Sequence, residues 1–329
     1  MNTQYKKVLI IRFSSIGDIV LTSPVVRCVK KQLSCKVHFI TKSKFRSTLE
    51  HNPHIDKIYT IDKEITEILH QLKVEKYDLV IDLHKNLRSK RLILSLGVKS
   101  ISFDKINIEK WFRVHTRLNF LPKKHLVDRY FESLKSIGVT NDGEGLSYHH
   151  GLTEYDIADL MPLDRYVAIV LGATYHTKRI PREKLETIIQ NSELECVLLG
   201  GNDVRELAEE LKIKYPKVSN LCGQVNLNES AALVLNSRYT VTGDTGLMHM
   251  AAAFKTPTMV FWGSTAYELG MYPYYGSKYT ITQVHMINDA ITCSPCSKIG
   301  KDLCPKGHFR CMMDFTESQI INGMRILEK

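Results

Sequence analysis

Four stretches of this chain combine glycine, hydroxyl and charged residues as sugar- and phosphate-handling loops do. The first is Ser14-Ser15-Ile16-Gly17-Asp18, just after the apolar run Val8–Ile11. Gly17 allows a tight turn, and the helix that follows offers unpaired N–H groups. Asp18 has two readings, a helix cap or a carboxylate held to take a proton from a hydroxyl. The second stretch is Gly243-Asp244-Thr245-Gly246-Leu247-Met248-His249, opening a small-residue helix through Ala251, Ala252 and Ala253. Gly243 and Gly246 let a ligand approach the backbone, so the helix N-terminus can hold a diphosphate through its N–H groups and dipole. Thr245 adds a hydroxyl, and His249 faces either the ligand or the core. The third stretch runs from Gly172 through Thr174 and the pair Lys178-Arg179 to Pro181, where two cations before a helix suit phosphate. In the fourth, Gly200-Gly201-Asn202-Asp203, the acidic residue either receives ribose hydroxyls or caps a helix.

These loops need strands and helices to aim them. Val8–Arg12, Val37–Ile40, Ile58–Ile61 and Leu79–Ile81 read as short buried strands with helical stretches between them, Ile19–Val29 among these. Tyr166–Val170, Cys196–Leu199, Tyr239–Thr242 and Thr258–Phe261 repeat the pattern. Arg182–Gln190, Val204–Lys214, Asn228–Leu235, Leu247–Phe254 and the closing Glu317–Lys329 supply the helices. Such alternation predicts parallel sheets covered on both faces. The glycine-rich NDGEGLSYHHGL, from Asn141, reads as a linker between two doubly wound α/β domains, 1–150 and 151–329, facing across a cleft. The final helix is free to pack back on the first domain. Neither GxGxxG nor GxxxxGK[ST] marks the first loop, which counts against a dinucleotide oxidoreductase and a P-loop enzyme.

The 329 residues are 43% hydrophobic and 24% charged, which excludes a disordered or fibrous chain. No apolar run is long enough to span a membrane, and the opening segment is too short for a signal core, so a cytoplasmic protein is expected. The net charge of +10 is concentrated: His84 to Arg129 holds twelve Lys and Arg against Asp104, Glu109 and Asp128. A solvated helical face usually alternates sign, so this segment, with Arg88 and Lys90, reads as a surface for an anionic partner. Cys293-x2-Cys296-x7-Cys304-x6-Cys311 starts with zinc-ligand spacing but lacks a second CxxC. Reduced thiols are the main expectation there, with a structural zinc as the minor one.

Together these motifs resemble glycosyltransferase family 9, the bacterial heptosyltransferases that build the inner core of lipopolysaccharide. The resemblance is carried by GDTGLMHMAAAFKTPTMVFWGST (Gly243–Thr265) and RFSSIGDIVLTSP (Arg12–Pro24), with LCGQVNLNESAALV and IDLHKNLRS, and spans nearly the whole chain. It implies a GT-B fold with two Rossmann-like domains, the first for the acceptor and the second for the nucleotide sugar. It also implies metal-independent, inverting transfer from ADP-heptose, with no cofactor. Asp18 corresponds to the family's proposed base, with Ser15 and Gly17 beside the acceptor. Lys178, with Thr174, corresponds to the donor-phosphate contact; Asp244, Thr245, Gly246, Leu247 and His249 to the diphosphate and sugar site; Asp203 to the ribose contact. Around Trp262, Tyr267 and Tyr272 the chain reads FWGST where the family more often has FGPT, which bears on the choice of sugar. The implied partners are ADP-heptose and an anionic lipid-linked glycan, with peripheral contact at the inner membrane. A transferase using another nucleotide sugar and a nucleotide-sugar epimerase are the competing enzyme readings. A nucleic-acid-binding module fits the charge, but the chain has no base-stacking motif or recognition helix.

Overall fold

The computed structural model describes residues 5–160 and 165–328. By packing, the chain divides into two compact units. One holds the described residues through Lys105, then Lys124–Gly151 and Gly276–Tyr279; the other holds Ile106–Lys123, Leu152–Tyr275 and the chain from Thr280 onward.

The first unit is built on five parallel strands: β1 (Lys7–Ile11), β2 (Lys36–Lys42), β3 (Lys57–Ile61), β4 (Leu79–Asp82) and β5 (Ser100–Ser102). Their order is β3-β2-β1-β4-β5. Val8 to Ile11 of central β1 are fully buried, as a strand covered on both faces requires. The second unit carries β6 (Tyr166–Val170), β7 (Glu195–Leu199), β8 (Val218–Asn220), β9 (Tyr239–Gly243), β10 (Thr258–Phe261) and β11 (Gln283–Met286). Again all neighbours are parallel, in the order β11-β10-β9-β6-β7-β8.

Each sheet reverses its winding once, between β1 and β4 in the first and between β6 and β9 in the second. Loops leaving the carboxyl ends of strands part at such a reversal and open a crevice for ligands. The four loops at these two points begin at Arg12, Leu83, Leu171 and Asp244, so three of the four chemistry-bearing stretches lie where the topology makes room, while Gly200–Asp203 follows β7.

Several expectations change. Ile19–Val29 is not one helix but parts of two, Ile16–Val20 and Ser23–Leu33. The break falls where Pro24 enters the first turn of the second helix and the Thr22 hydroxyl donates to the Ile19 carbonyl at 2.7 Å. The expected linker is instead fastened to the first unit. Arg27 donates to both oxygens of Asp142, at 2.7 and 2.8 Å, and to the Gly145 carbonyl at 2.8 Å, while Leu146 is buried. The basic segment is shared between the units, since the helix Asn107–His115 belongs to the second and its Arg113 pairs with Glu268 at 2.8 Å. The closing helix Glu317–Glu328 buries Ile320, Met324 and Leu327 in the core of the second unit. No helix among the described residues is long and apolar enough to cross a membrane.

Candidate active site

In the first unit the site is organised by a buried arginine. Arg12 ends the apolar run of β1; its guanidinium pairs with Asp18 and donates to the Ser14 carbonyl at 2.8 Å and to the Leu83 carbonyl. Burial works to lower its pKa, but the charge of Asp18, with Tyr130 and Asp82, outweighs it and holds the cation firmly charged. Asp18 occupies the third position of the short helix Ile16–Val20 and accepts from the Ser15 hydroxyl at 2.8 Å and the Ser15 N–H at 3.1 Å. Both readings of Asp18 therefore meet in one residue. The carboxylate closes the helix start and is also locked in direction with a fifth of its surface open. Gly17 is buried within the first turn and keeps an ordinary backbone conformation, so its small size matters rather than a left-handed turn.

The neighbouring strand β4 ends in Asp82, a buried carboxylate that accepts from the N–H groups of His84 and Lys85 at 3.0 and 2.8 Å and from the Ser89 hydroxyl at 2.6 Å. This shapes the loop that places His84 edge-on to Phe13, with ring centres 5.1 Å apart. Burial, with the charges of Arg12, Lys105 and Arg88, pushes the His84 pKa down to about 3 against the opposing pull of Asp18. Its ring is neutral at physiological pH, and its Nδ1 is buried without a hydrogen-bond partner. Lys105, after β5, lies within electrostatic reach of Arg12, Asp82 and Asp18, and burial lowers its pKa. Arg88 thus approaches this cluster, whereas Lys90 is exposed and makes no side-chain hydrogen bond or ion pair with it.

In the second unit two glycines let a turn sit directly on the strand ends. A Cβ on Gly243 would stand 2.0 Å from the Lys178 carbonyl oxygen, and one on Gly263 would stand 2.5 Å from that of Thr177. The turn His176–Lys178 is thereby laid across β9 and β10, and the Thr177 hydroxyl bonds Ser264 at 2.7 Å. Lys178 Nζ meets Asp244 Oδ2 at 2.7 Å, and the Thr265 hydroxyl donates to the same oxygen at 2.8 Å. Thr245 caps the helix Gly246–Phe254 by accepting from the Met248 N–H at 3.3 Å. The N–H groups of Gly246 and Leu247, in that first turn, have no intrahelical acceptor. An ammonium, a hydroxyl and a helix N-terminus thus converge at one place, a combination suited to a diphosphate.

The remaining expected residues are less gathered. His249 is buried within the helix. Leu247 packs on the apolar cluster beneath the sheet, and Thr174 is exposed. Asp203 pairs with Arg179, whose guanidinium also donates to the Ala173 carbonyl at 3.1 Å, so this carboxylate braces one loop against another. Beside the donor loop, buried Trp262 donates through Nε1 to His285 Nδ1 at 3.1 Å, and the half-exposed Tyr267 ring stacks on His285 with centres 5.7 Å apart. Of the cysteines, Cys293 lies 3.7 Å from His308 Nε2, and burial pushes Cys311 up to about 12. All four are free thiols, and no group of three or more potential ligands among the described residues is arranged to hold a metal.

The sequence reading passed over Arg12, Asp82, His84, Lys105 and His285 as site residues. Arg12 and Asp82 did carry a signal, as charged residues closing fully apolar strands at the end where ligands bind. His285 had none, because β11 is too short and polar to stand out.

Comparison with known proteins fits this geometry. The chain is 25% identical over 294 residues to lipopolysaccharide heptosyltransferase 1 of Campylobacter coli, covering 79% of this chain and 84% of that one. A glycosyltransferase family 9 structure from Veillonella parvula superimposes with a TM-score of 0.76 at 20% identity, over 100% of this chain and 99% of the other. The Escherichia coli ADP-heptose lipopolysaccharide heptosyltransferase II superimposes at 0.69 with 18% identity, over 98% of both. These are GT-B structures, and the fold expected from the sequence is the one found. The profile of glycosyltransferase family 9 (heptosyltransferase) matches residues 65–305, and the chain, a glycosyltransferase, belongs to that family.

Proposed function

We propose that this glycosyltransferase moves heptose from ADP-heptose to an anionic, lipid-linked inner-core acceptor of lipopolysaccharide, either a Kdo or a heptose. The reaction is a single displacement with inversion, carried out in the cytoplasm. Asp18 accepts the proton of the acceptor hydroxyl as its oxygen bonds to the anomeric carbon. The bond from that carbon to the diphosphate breaks, and ADP leaves with the electron pair. The observation that carries this reading is the convergence of Lys178, Thr245 and the first turn of Gly246–Phe254 at the switch point of the second sheet. Their positive ends meet the charge that grows on the departing phosphate, a role a metal ion fills in other transferases. Lys178 is already held by Asp244, so the diphosphate shares an ammonium fixed in direction before it arrives.

Arg12 and Ser15 hold the Asp18 carboxylate facing one way. Calorimetry with ADP-, UDP-, GDP- and dTDP-linked sugars tests the donor. Preferential binding of ADP-heptose supports the reading, and equal or tighter binding of a UDP- or GDP-sugar overturns it. Turnover unaffected by chelator is expected, and donor turnover without acceptor would favour an epimerase instead.

A further inference from the structure

Fifteen large apolar side chains are exposed among the described residues, and six of them fall in two short stretches of the second unit, 108–120 and 299–303. The first stretch is the helix Asn107–His115 and the turn after it. Ile108, Trp111 and His115 follow a spacing of three and four residues, so they share one helix face. That face is open, and the Trp111 ring is 47% exposed. The opposite side anchors the helix, with Val114 buried and Arg113 paired to Glu268. On the open side the rings form a continuous shelf. Trp111 stacks on His115 with centres 4.8 Å apart and meets Phe112 at 5.3 Å, and Phe112 meets the exposed Phe120 at 5.7 Å.

The second stretch is tied to the first. Lys298 Nζ donates to the Asn107 carbonyl at 3.1 Å, and the Arg117 guanidinium donates to the carbonyls of Val114 and Pro295. These bonds hold the loop bearing exposed Ile299 and Leu303 beside the helix. The surroundings are cationic. Residues 107–124 carry five Lys and Arg against Glu109, and 298–306 carry three Lys against Asp302. Arg113 and Lys124 are neutralised by Glu268 and Glu132, while Lys123 and Lys306 are exposed and have no acidic partner.

Rings and branched aliphatics on one helix face, bordered by unneutralised cations, match a surface helix lying at the boundary of headgroups and acyl chains. Tryptophan prefers that depth, and each basic residue near an anionic leaflet adds about fivefold to binding. A protein partner fits less well, because interface cores are depleted in lysine. Stacking on single-stranded nucleic acid would use the rings but gain little from Ile108, Leu118, Ile299 and Leu303. We propose that this aromatic and basic surface docks the protein on an anionic phospholipid bilayer, with Trp111 and Phe120 at headgroup level. The proposal adds a defined surface to the transfer reading. Its test needs neither donor nor acceptor, so either idea can fail alone.

The full chain is sedimented with vesicles of phosphatidylcholine, with and without phosphatidylglycerol. Binding is expected to the anionic vesicles and to weaken with salt. The protein has two tryptophans, and Trp262 is buried, so quenching of emission by brominated lipid reports Trp111. Trp111→Ser with Phe120→Ser, both at exposed positions, should weaken sedimentation with anionic vesicles about tenfold while the melting temperature stays in place. Lys123→Gln with Lys306→Gln should weaken binding to anionic vesicles alone, about fivefold for each charge removed. Equal binding to neutral and anionic vesicles overturns the proposal, as does undiminished binding by the ring variant. Patch-dependent dimers without lipid, or binding to a single-stranded oligonucleotide but not to vesicles, would assign the surface to those partners instead.

Discussion

At the scale of single residues, Asp18 and Lys178 do different work although both are ion-paired. The Arg12 pair fixes a carboxylate that has to accept a proton, whereas the Asp244 pair fixes a cation that has to receive a phosphate. Asp18→Asn keeps the geometry and the amide can still close the helix, but it removes the base. Turnover should fall by about a hundredfold or more while donor affinity stays within a few-fold. Turnover near that of the parent would leave Asp18 as a helix cap alone. Lys178→Ala removes a charge-assisted contact and frees Asp244 to repel the incoming phosphate. ADP binding should weaken about tenfold or more, with AMP affected less, when both are titrated calorimetrically. Equal loss for both nucleotides would mean that Lys178 does not reach the second phosphate. The candidate residues themselves were legible because glycine and hydroxyl neighbours mark them. Their partners were not: Arg12 meets Leu83 and Tyr130 only through the fold, across separations no local pattern reveals.

At the scale of elements, the strands β5, β8 and β11 escaped the sequence reading, and all three are sheet edges. An edge strand pairs on one side only, so Ser100-Ile101-Ser102 or Val218-Ser219-Asn220 needs no apolar run. The central strands, buried on both faces, announce themselves. The same logic explains the mistaken linker. Its glycines suggested a loose connection, but a bidentate Arg27–Asp142 contact across 115 residues fastens it to the first unit. Burial alone would raise the Asp142 pKa, yet Arg27 and the Glu144 N–H hold it down to about 2. Its unfolded value is about 3.9, so the stabilisation is complete above pH 4 and disappears as pH falls towards 2. Asp142→Asn should therefore lower unfolding free energy by about 1–2 kcal/mol at neutral pH, partial exposure screening the rest. The gap to the parent should close between about pH 4 and pH 2 in denaturant titrations. A gap independent of pH would trace the loss to packing instead.

At the scale of the molecule, the net charge of +10 is gathered on the first unit, where 24 Lys and Arg face 14 Asp and Glu, while the second unit balances 21 against 21. Near Asp18 the fold keeps Arg88 and Lys105 within reach of His84 and Arg12, a cationic setting for an acidic acceptor. The donor cations differ in kind, because Lys178 is largely enclosed and paired, with 15% of its side chain exposed. Exposed charges attract over a screening length of about 8 Å at physiological ionic strength, whereas enclosed pairs are screened much less. Raising salt should therefore raise the acceptor Michaelis constant more steeply than the dissociation constant of ADP. Reversing Arg88 and Lys90 together to glutamate should do the same at low salt and leave ADP affinity nearly unchanged. The single variants separate the two positions: Arg88→Glu should carry most of the effect, because His84 senses its charge, while exposed Lys90 is free of the cluster. Steady-state kinetics at several ionic strengths, beside ADP titrations, would show the split. A parallel loss of ADP binding would mean that the basic segment supports folding rather than the acceptor. No change in either constant would return it to a solvated surface.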